Sequence, residues 1–266
     1  MSRASLARRL LTVCGLDELG AYLVLRVEDP DGPPPEPGQF AMLAAGERWG
    51  GGEGDRPHLP RAFSVARVRG GEAQFLLEDV GPGSRRLCEL RAGEGIWVLG
   101  PLGRGFTPPP SGRRAILVGG GVGIAPLAML QDELECGATV LLGFRDGTRA
   151  EGAVLLAGAT VATDDGSVGH HGLVTELLEA EIGRDPAAVV YACGPAGMLE
   201  GVRAMCEASG VPAQLALEAG MACGFGACFG CVVPRRGGGY LRVCVDGPVI
   251  DAAELDHVDA HAGAPA

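Results

Sequence analysis

Positive charge is scarce in this sequence. Its 22 Lys and Arg residues stand against 33 Asp and Glu, a formal net charge of −11. Proteins that track a phosphate backbone need clustered basic side chains to displace counterions, so nucleic acid is not expected as a partner. Long apolar runs are missing too: none approaches the roughly 18 residues that span a bilayer. Met1 to Leu25 opens with Arg3, Arg8 and Arg9 like a secretory signal, but Asp17 and Glu18 interrupt it and no small-residue cleavage site follows a clean apolar core. The expectation is a cytoplasmic protein with no membrane span. An internal repeat is absent, and so is a disulfide framework. The nine cysteines are odd in number; four crowd between Cys223 and Cys244, whereas Cys14, Cys88, Cys136, Cys193 and Cys206 are scattered. Clustered thiols in a reducing compartment point to metal, and isolated ones behave as small buried hydrophobes.

What is present suits a multidomain globular chain, with 266 residues of which 47% are hydrophobic. Up to about residue 110, short alternating segments separated by turns predict a small antiparallel β-barrel: Tyr22 to Val27, Gln39 to Leu43, Ala62 to Val68, Ala73 to Glu78 and Gly95 to Leu99. Gly50 to Gly54 reads as a hairpin tip. Thr107 to Gly112 is a proline-rich break that suits a linker. From Ala115 strands and helices alternate: strands at 115–118, 139–144, 154–162 and 188–192, helices at 126–135, 173–180 and 196–209. Such alternation predicts a parallel sheet with helices on both faces and ligands at the carboxyl ends of its strands. After Leu217 the chain is rich in glycine and cysteine. The expected units are therefore a barrel at 1–110, an α/β domain at 111–214, a cysteine domain at 215–252 and a tail at 253–266.

Cys223, Cys228 and Cys231 form a C-x4-C-x2-C motif, with a fourth cysteine at Cys244. This is the opening spacing of the 2Fe-2S cluster of plant-type ferredoxins, and the interleaved glycines let a loop turn tightly with its amides aimed at sulfur. Four thiolates also suit zinc, but zinc ribbons usually carry two separated C-x2-C pairs and only one is present. The fourth ligand follows closely across a short hairpin at Arg236 to Gly239, which makes a compact appended domain.

Four further motifs have the chemistry of phosphate cradles. Arg61-Ala62-Phe63-Ser64 opens a barrel strand, and Gly81-Pro82-Gly83-Ser84 precedes a helix; an arginine with amides and a hydroxyl at a helix start is what a pyrophosphate requires. Alone, each is weak: an arginine at a strand start is usually a solvated surface residue, and Gly-x-Gly-Ser is usually just an N-cap. Gly119 to Pro126 follows a buried strand and opens a helix, with proline in place of the third glycine of the usual dinucleotide fingerprint. Cys193-Gly194-Pro195 repeats the arrangement of strand end, turn and helix start, and also reads as a core cysteine before a turn.

Together and in this order, these residues resemble the ferredoxin-reductase superfamily, and within it the electron-transfer subunits of class 1B dihydroorotate dehydrogenases. The resemblance runs from Pro37-Gly38-Gln39-Phe40 through Gly100-Pro101-Leu102-Gly103 to Cys244-Val245-Asp246-Gly247-Pro248 and is most specific at Glu218 to Cys231 and Thr163 to Ser167. It implies FAD on the barrel, held by Arg61, Ala62, Phe63, Ser64, Leu76, Leu77, Glu78, Gly83 and Ser84. It implies NAD(H) on the α/β domain at Gly121, Gly123, Cys193 and Gly194, and a 2Fe-2S cluster on Cys223, Cys228, Cys231 and Cys244. Ala62 departs from the proline common in relatives. Arg145 and Asp146 leave NADH against NADPH open, while the family favours NADH.

NADH gives two electrons as a hydride and a 2Fe-2S cluster takes one at a time, so a flavin must stand between them. The expected function is an NAD-dependent oxidoreductase subunit for pyrimidine biosynthesis, passing electrons to or from a separate FMN-containing dihydroorotate dehydrogenase catalytic subunit in a heterotetramer. No residue in the sequence looks like a dihydroorotate site. A second reading keeps the cofactors and changes the partner: the small subunit of an NADH-dependent ferredoxin:NADP+ oxidoreductase or a sulfide dehydrogenase. A third, a degenerate module holding a structural or redox-sensing cluster, is opposed by the intact flavin and nicotinamide motifs.

Overall fold

The structure is a computed structural model and describes residues 7–50, 56–134 and 137–258. Cys136, the end of the helix expected at 126–135, most of the expected tip at 50–54 and the last eight residues of the chain lie outside the described residues.

Six strands close into an antiparallel barrel: β1 (Arg8–Leu19), β2 (Tyr22–Glu28), β3 (Phe40–Ala45), β4 (Arg61–Arg69), β5 (Glu72–Leu77) and β6 (Gly95–Leu102), in the order β1-β2-β5-β4-β3-β6. A barrel leaves no open strand edge, and its inward residues, among them Leu25, Leu43, Phe75 and Ile96, fill the interior. Helix α1 (Pro82–Cys88) adds Leu87 to that interior and begins with proline at its first turn. The first strand, β1, is missing from the sequence reading. Its twelve residues slip register at Cys14 and show no clean alternation, so the period-two signal is blurred.

The α/β unit contains β7 (Arg114–Gly120), α2 (Ile124–Glu133), β8 (Ala138–Phe144), α3 (Gly147–Ala150), β9 (Thr160–Thr163), β10 (His170–His171), α4 (Val174–Arg184), β11 (Ala188–Cys193), α5 (Ala196–Ser209) and β12 (Ala213–Ala216). A small hairpin, β13 (Val232–Pro234) and β14 (Tyr240–Arg242), follows, and then β15 (Val249–Asp251). The large sheet runs β10-β9-β8-β7-β11-β12-β15, parallel except at its β12–β15 edge. Its last strand thus comes from beyond the cysteine segment. The expected strand at 154–162 is a correction. Only Thr160–Thr163 forms a strand; residues 151–155 form a 3-10 turn, and Gly158 has φ +69°. The Gln131 side-chain amide holds both the N–H and the C=O of Ala157 at 2.8 and 2.9 Å, taking the place a neighbouring strand would have.

Strand β3 is buried on both faces. Ala41, Leu43 and Ala45 join the barrel interior, whereas Phe40 and Met42 join a second core with the sheet, Cys231, Val243 and Cys244. Barrel and sheet are also tied by Arg67, bidentate on Asp132 at 2.6 and 3.1 Å, and by Arg149 on Glu78 at 2.9 Å. No helix among the described residues is long and apolar enough to cross a membrane.

Candidate functional site

A cleft of about 680 Å³ opens where barrel, sheet and cysteine segment meet. That volume is in the range of sites for sizeable cofactors. Arg61, Ala62, Phe63 and Ser64 at the start of β4 form one wall with Leu76, Gly83 and Ser84; Gly123 and Cys193 form the second; Glu218, Met221, Ala222 and Gly230 form the third. Residues far apart in sequence, singled out separately, are thus brought together.

Each wall has a local cause. Arg61 Nη1 donates to Leu59 O at 2.7 Å, and a Cβ at Gly83 would stand 2.4 Å from Arg61 Nε. Glycine at 83 therefore lets the guanidinium lie over the start of α1, where backbone N–H groups are unpaired. The Ser84 hydroxyl accepts from Val80 N at 2.9 Å and donates to Gly81 O at 3.1 Å, so it shapes its own turn. On the second wall, Gly123 is the point where the loops after β7 and β11 touch. A Cβ there would lie 2.5 Å from both the carbonyl carbon and the oxygen of Cys193. Gly194 packs in the same way against Gly120 N and Met198.

Cys193 is buried, and burial, followed by the nearby Glu218 carboxylate, pushes its thiol well above the ordinary range. It stays a neutral thiol. Glu218 is exposed on the cleft wall, and the protein packed around that wall raises its carboxyl above the ordinary carboxylate value. Nothing in the sequence singles out Glu218 for a role of its own.

Four expected flavin or nucleotide residues stand outside the cleft lining, Gly194 among them, packed as described against Gly120 and Met198. Leu77 points into the barrel interior, as the alternation with Leu76 dictates. Glu78 is engaged with Arg149. Gly121, at φ +55°, turns the chain in open space. Asp146 caps α3, accepting from Arg149 N at 3.0 Å and from its Nη1 at 2.6 Å, and Asp165 accepts from Ser167 N and Oγ at 2.9 and 2.6 Å. Nothing in sequence signals the Glu78–Arg149–Asp146 chain, because its first partner is 71 positions away.

The four thiols lie in two pairs. Cys231 and Cys244 are both buried, with their sulfurs 3.2 Å apart. Cys223 meets the Cys228 thiol, and Gly230 N donates to Cys228 Sγ at 3.5 Å. Burial opposes ionisation of Cys223 but is outweighed by the amides of Phe225, Cys228 and Ala227, which bring it to about 6. Cys244 is pushed up to about 12, by burial first and then by the Cys231 thiol. Gly224, Gly226 and Phe229 have φ of +79°, +87° and +58°, the backbone that turns those amides inward. Pairing by twos fits two irons that share four thiolates, each completed by bridging sulfides.

A family model described as the iron-sulfur cluster binding domain of dihydroorotate dehydrogenase B matches residues 218–256. The dihydroorotate dehydrogenase B (NAD(+)) electron transfer subunit of Desulforamulus reducens is 36% identical over 231 residues, covering 82% of this chain and 86% of that protein. The corresponding subunit of Geobacillus thermodenitrificans is 39% identical over 83% of this chain and 86% of its own length. The chain belongs to the electron transfer subunits of dihydroorotate dehydrogenase B.

Among solved structures, an NADH-dependent reduced ferredoxin-NADP oxidoreductase superposes with a TM-score of 0.77 over 97% of this chain and 92% of that one, at 24% identity. The ferredoxin reductase of carbazole 1,9a-dioxygenase gives 0.65 over 77% and 66%, at 22% identity. Both share the fold. As an electron transfer subunit of this family, the chain is part of an NAD-linked oxidoreductase and carries an iron-sulfur cluster binding domain.

Proposed function

We propose that the three walls of the cleft divide the cofactors among them. Arg61 to Ser64, Leu76 and the turn at Gly83-Ser84 hold FAD; Gly123, Cys193 and the turns at Gly121 and Gly194 receive the nicotinamide nucleotide; Cys223, Cys228, Cys231 and Cys244 hold the cluster. The observation that carries this reading is that Ser64, Cys193 and Gly230, one from each unit, line a single cleft. When bound, the flavin accepts a hydride and releases electrons singly. Arg61 supplies positive charge above the start of α1, where a pyrophosphate is best matched. Cys193 presents a neutral, buried thiol to the nicotinamide. The cleft wall at Met221 to Ala222 screens the site from water beside the cluster loop.

The partner is a catalytic subunit containing FMN that oxidises dihydroorotate to orotate, in an assembly of two copies of each chain, since closed twofold assemblies are the commonest. Its docking face surrounds the cysteine loop. There Phe225, Phe229 and Tyr240 are exposed, and Arg242 lies 5.4 Å from the Phe229 ring centre. The purified chain alone is expected to reduce dyes with NADH and to leave dihydroorotate untouched. Turnover of dihydroorotate with NAD+ by the isolated chain refutes the subunit reading. Cys228→Ser is expected to abolish the visible absorption and reduced-state EPR signal of the cluster and to keep bound FAD. Zinc in place of iron in anaerobically purified protein refutes the cluster assignment.

A further inference from the structure

The geometry points to Met42 as a positioning residue for electron transfer: its side chain sets the separation between the strand that binds flavin and the loop that holds Cys223. This rests on the division of the cleft proposed above and adds a residue to it.

Strands β3 and β4 pair with Phe40 opposite Ser64 and Met42 opposite Ala62. Residues directly opposite in an antiparallel pair point to the same face. That face is the outside of the barrel: Ala62, Ser64 and Phe40 line the cleft on it, and Met42, 2% exposed, stands in the same row one pair further along. On its far side Met42 meets the cysteine loop. A Cβ at Gly224 would lie 2.5 Å from Met42 Cγ and 2.8 Å from its Sδ, with Leu102 Cδ1 at 3.2 Å. Glycine at 224, with φ +79°, is thus the form in which the residue after Cys223 rests directly on the thioether. The other end of the cysteine segment is fixed separately. Arg104 N donates to Gly247 O at 2.5 Å, and Arg104 bridges to Pro248. Met42 and Leu102 therefore support the Cys223 end, and Met42 alone of the two stands opposite a cleft residue of β4.

Two electrons enter the chain as a hydride from NADH, with NAD+ leaving, and depart singly across this contact. Each converts one ferric iron to ferrous; a one-electron acceptor in the catalytic subunit, or a dye in an assay, takes the first onward before the second arrives, and the proton passes to solvent. A side chain that holds the two ends at a fixed distance governs the second stage and leaves the hydride step alone.

The test uses the full chain loaded with FAD and cluster, mixed anaerobically with NADH, with flavin bleaching followed optically and cluster reduction by freeze-quench EPR. In Met42→Ala, flavin bleaching is expected to hold within about twofold of the parent while cluster reduction slows by about tenfold or more, the scale on which a small misplacement acts. Met42→Leu, which conserves volume, is expected to restore cluster reduction, and Leu102→Ala to slow the cluster step in the same direction. An unchanged cluster step in Met42→Ala, equal slowing of both steps, loss of the cluster from both alanine variants, or a leucine variant as slow as alanine overturns the role. A parent chain that lacks flavin or cluster overturns instead the site assignment on which the role rests.

Discussion

Arg61 illustrates how one side chain depends on the absence of another. Its guanidinium occupies the space that a Cβ at Gly83 would fill. Arg61→Ala is expected to release flavin, because a pyrophosphate kept from water then lacks its charged donor. At about 1.5–3 kcal/mol for a hydrogen bond to a charged group, binding weakens by roughly ten- to a hundredfold. Flavin per chain after gel filtration, identified as FAD by chromatography after acid release, reads the loss.

At the scale of elements, the second wall depends on two strand ends being close enough to touch. Gly123→Ala drives a methyl into the Cys193 carbonyl, and the loops after β7 and β11 must part. Overpacking of this kind costs about 1–3 kcal/mol. The KM for NADH is expected to rise while flavin content holds; loss of flavin with unchanged KM would mean that the contact serves the barrel instead. The α/β elements were largely legible because glycine turns bracket buried apolar runs, and α5 spans the expected 196–209. Arg61, Ser64, Gly83, Gly123 and Cys193 were legible as candidates because each sits where a strand or loop hands over to the next element. Their convergence was not legible, since spacing along a chain carries no information about which loops meet. Leu76 and Leu77 are equivalent in composition and opposite in face, so the sequence does not say which side chain turns to the cleft. Residues 154–159 departed from the expected strand because a run of apolar residues fits a 3-10 turn as well as a strand, and the decisive contact comes from Gln131 on α2.

At the scale of the whole molecule, barrel and sheet are held by Arg67–Asp132 and Arg149–Glu78, while the cysteine segment leaves the sheet after β12 and rejoins it at β15. Ala216 and Val249 are paired across those strands, and Leu217 N donates to Pro248 O at 2.9 Å. The chain therefore returns to the place it departed from. In gene-architecture terms the cluster segment is a cassette: its two ends are already at the separation of a tight hairpin, so it can be cut out and the gap closed by a short turn. Replacing residues 218–247 with Asn-Gly, the pair favoured in two-residue hairpins, is expected to leave a less stable flavoprotein. The outer face of β3, with Phe40 and Met42, then loses its cover. Such a chain should still bleach its flavin with NADH, show no cluster absorption, and no longer support dihydroorotate-dependent NAD+ reduction when mixed with the catalytic subunit. A shortened chain that retained this coupled reaction would mean that electrons reach the partner directly from the barrel.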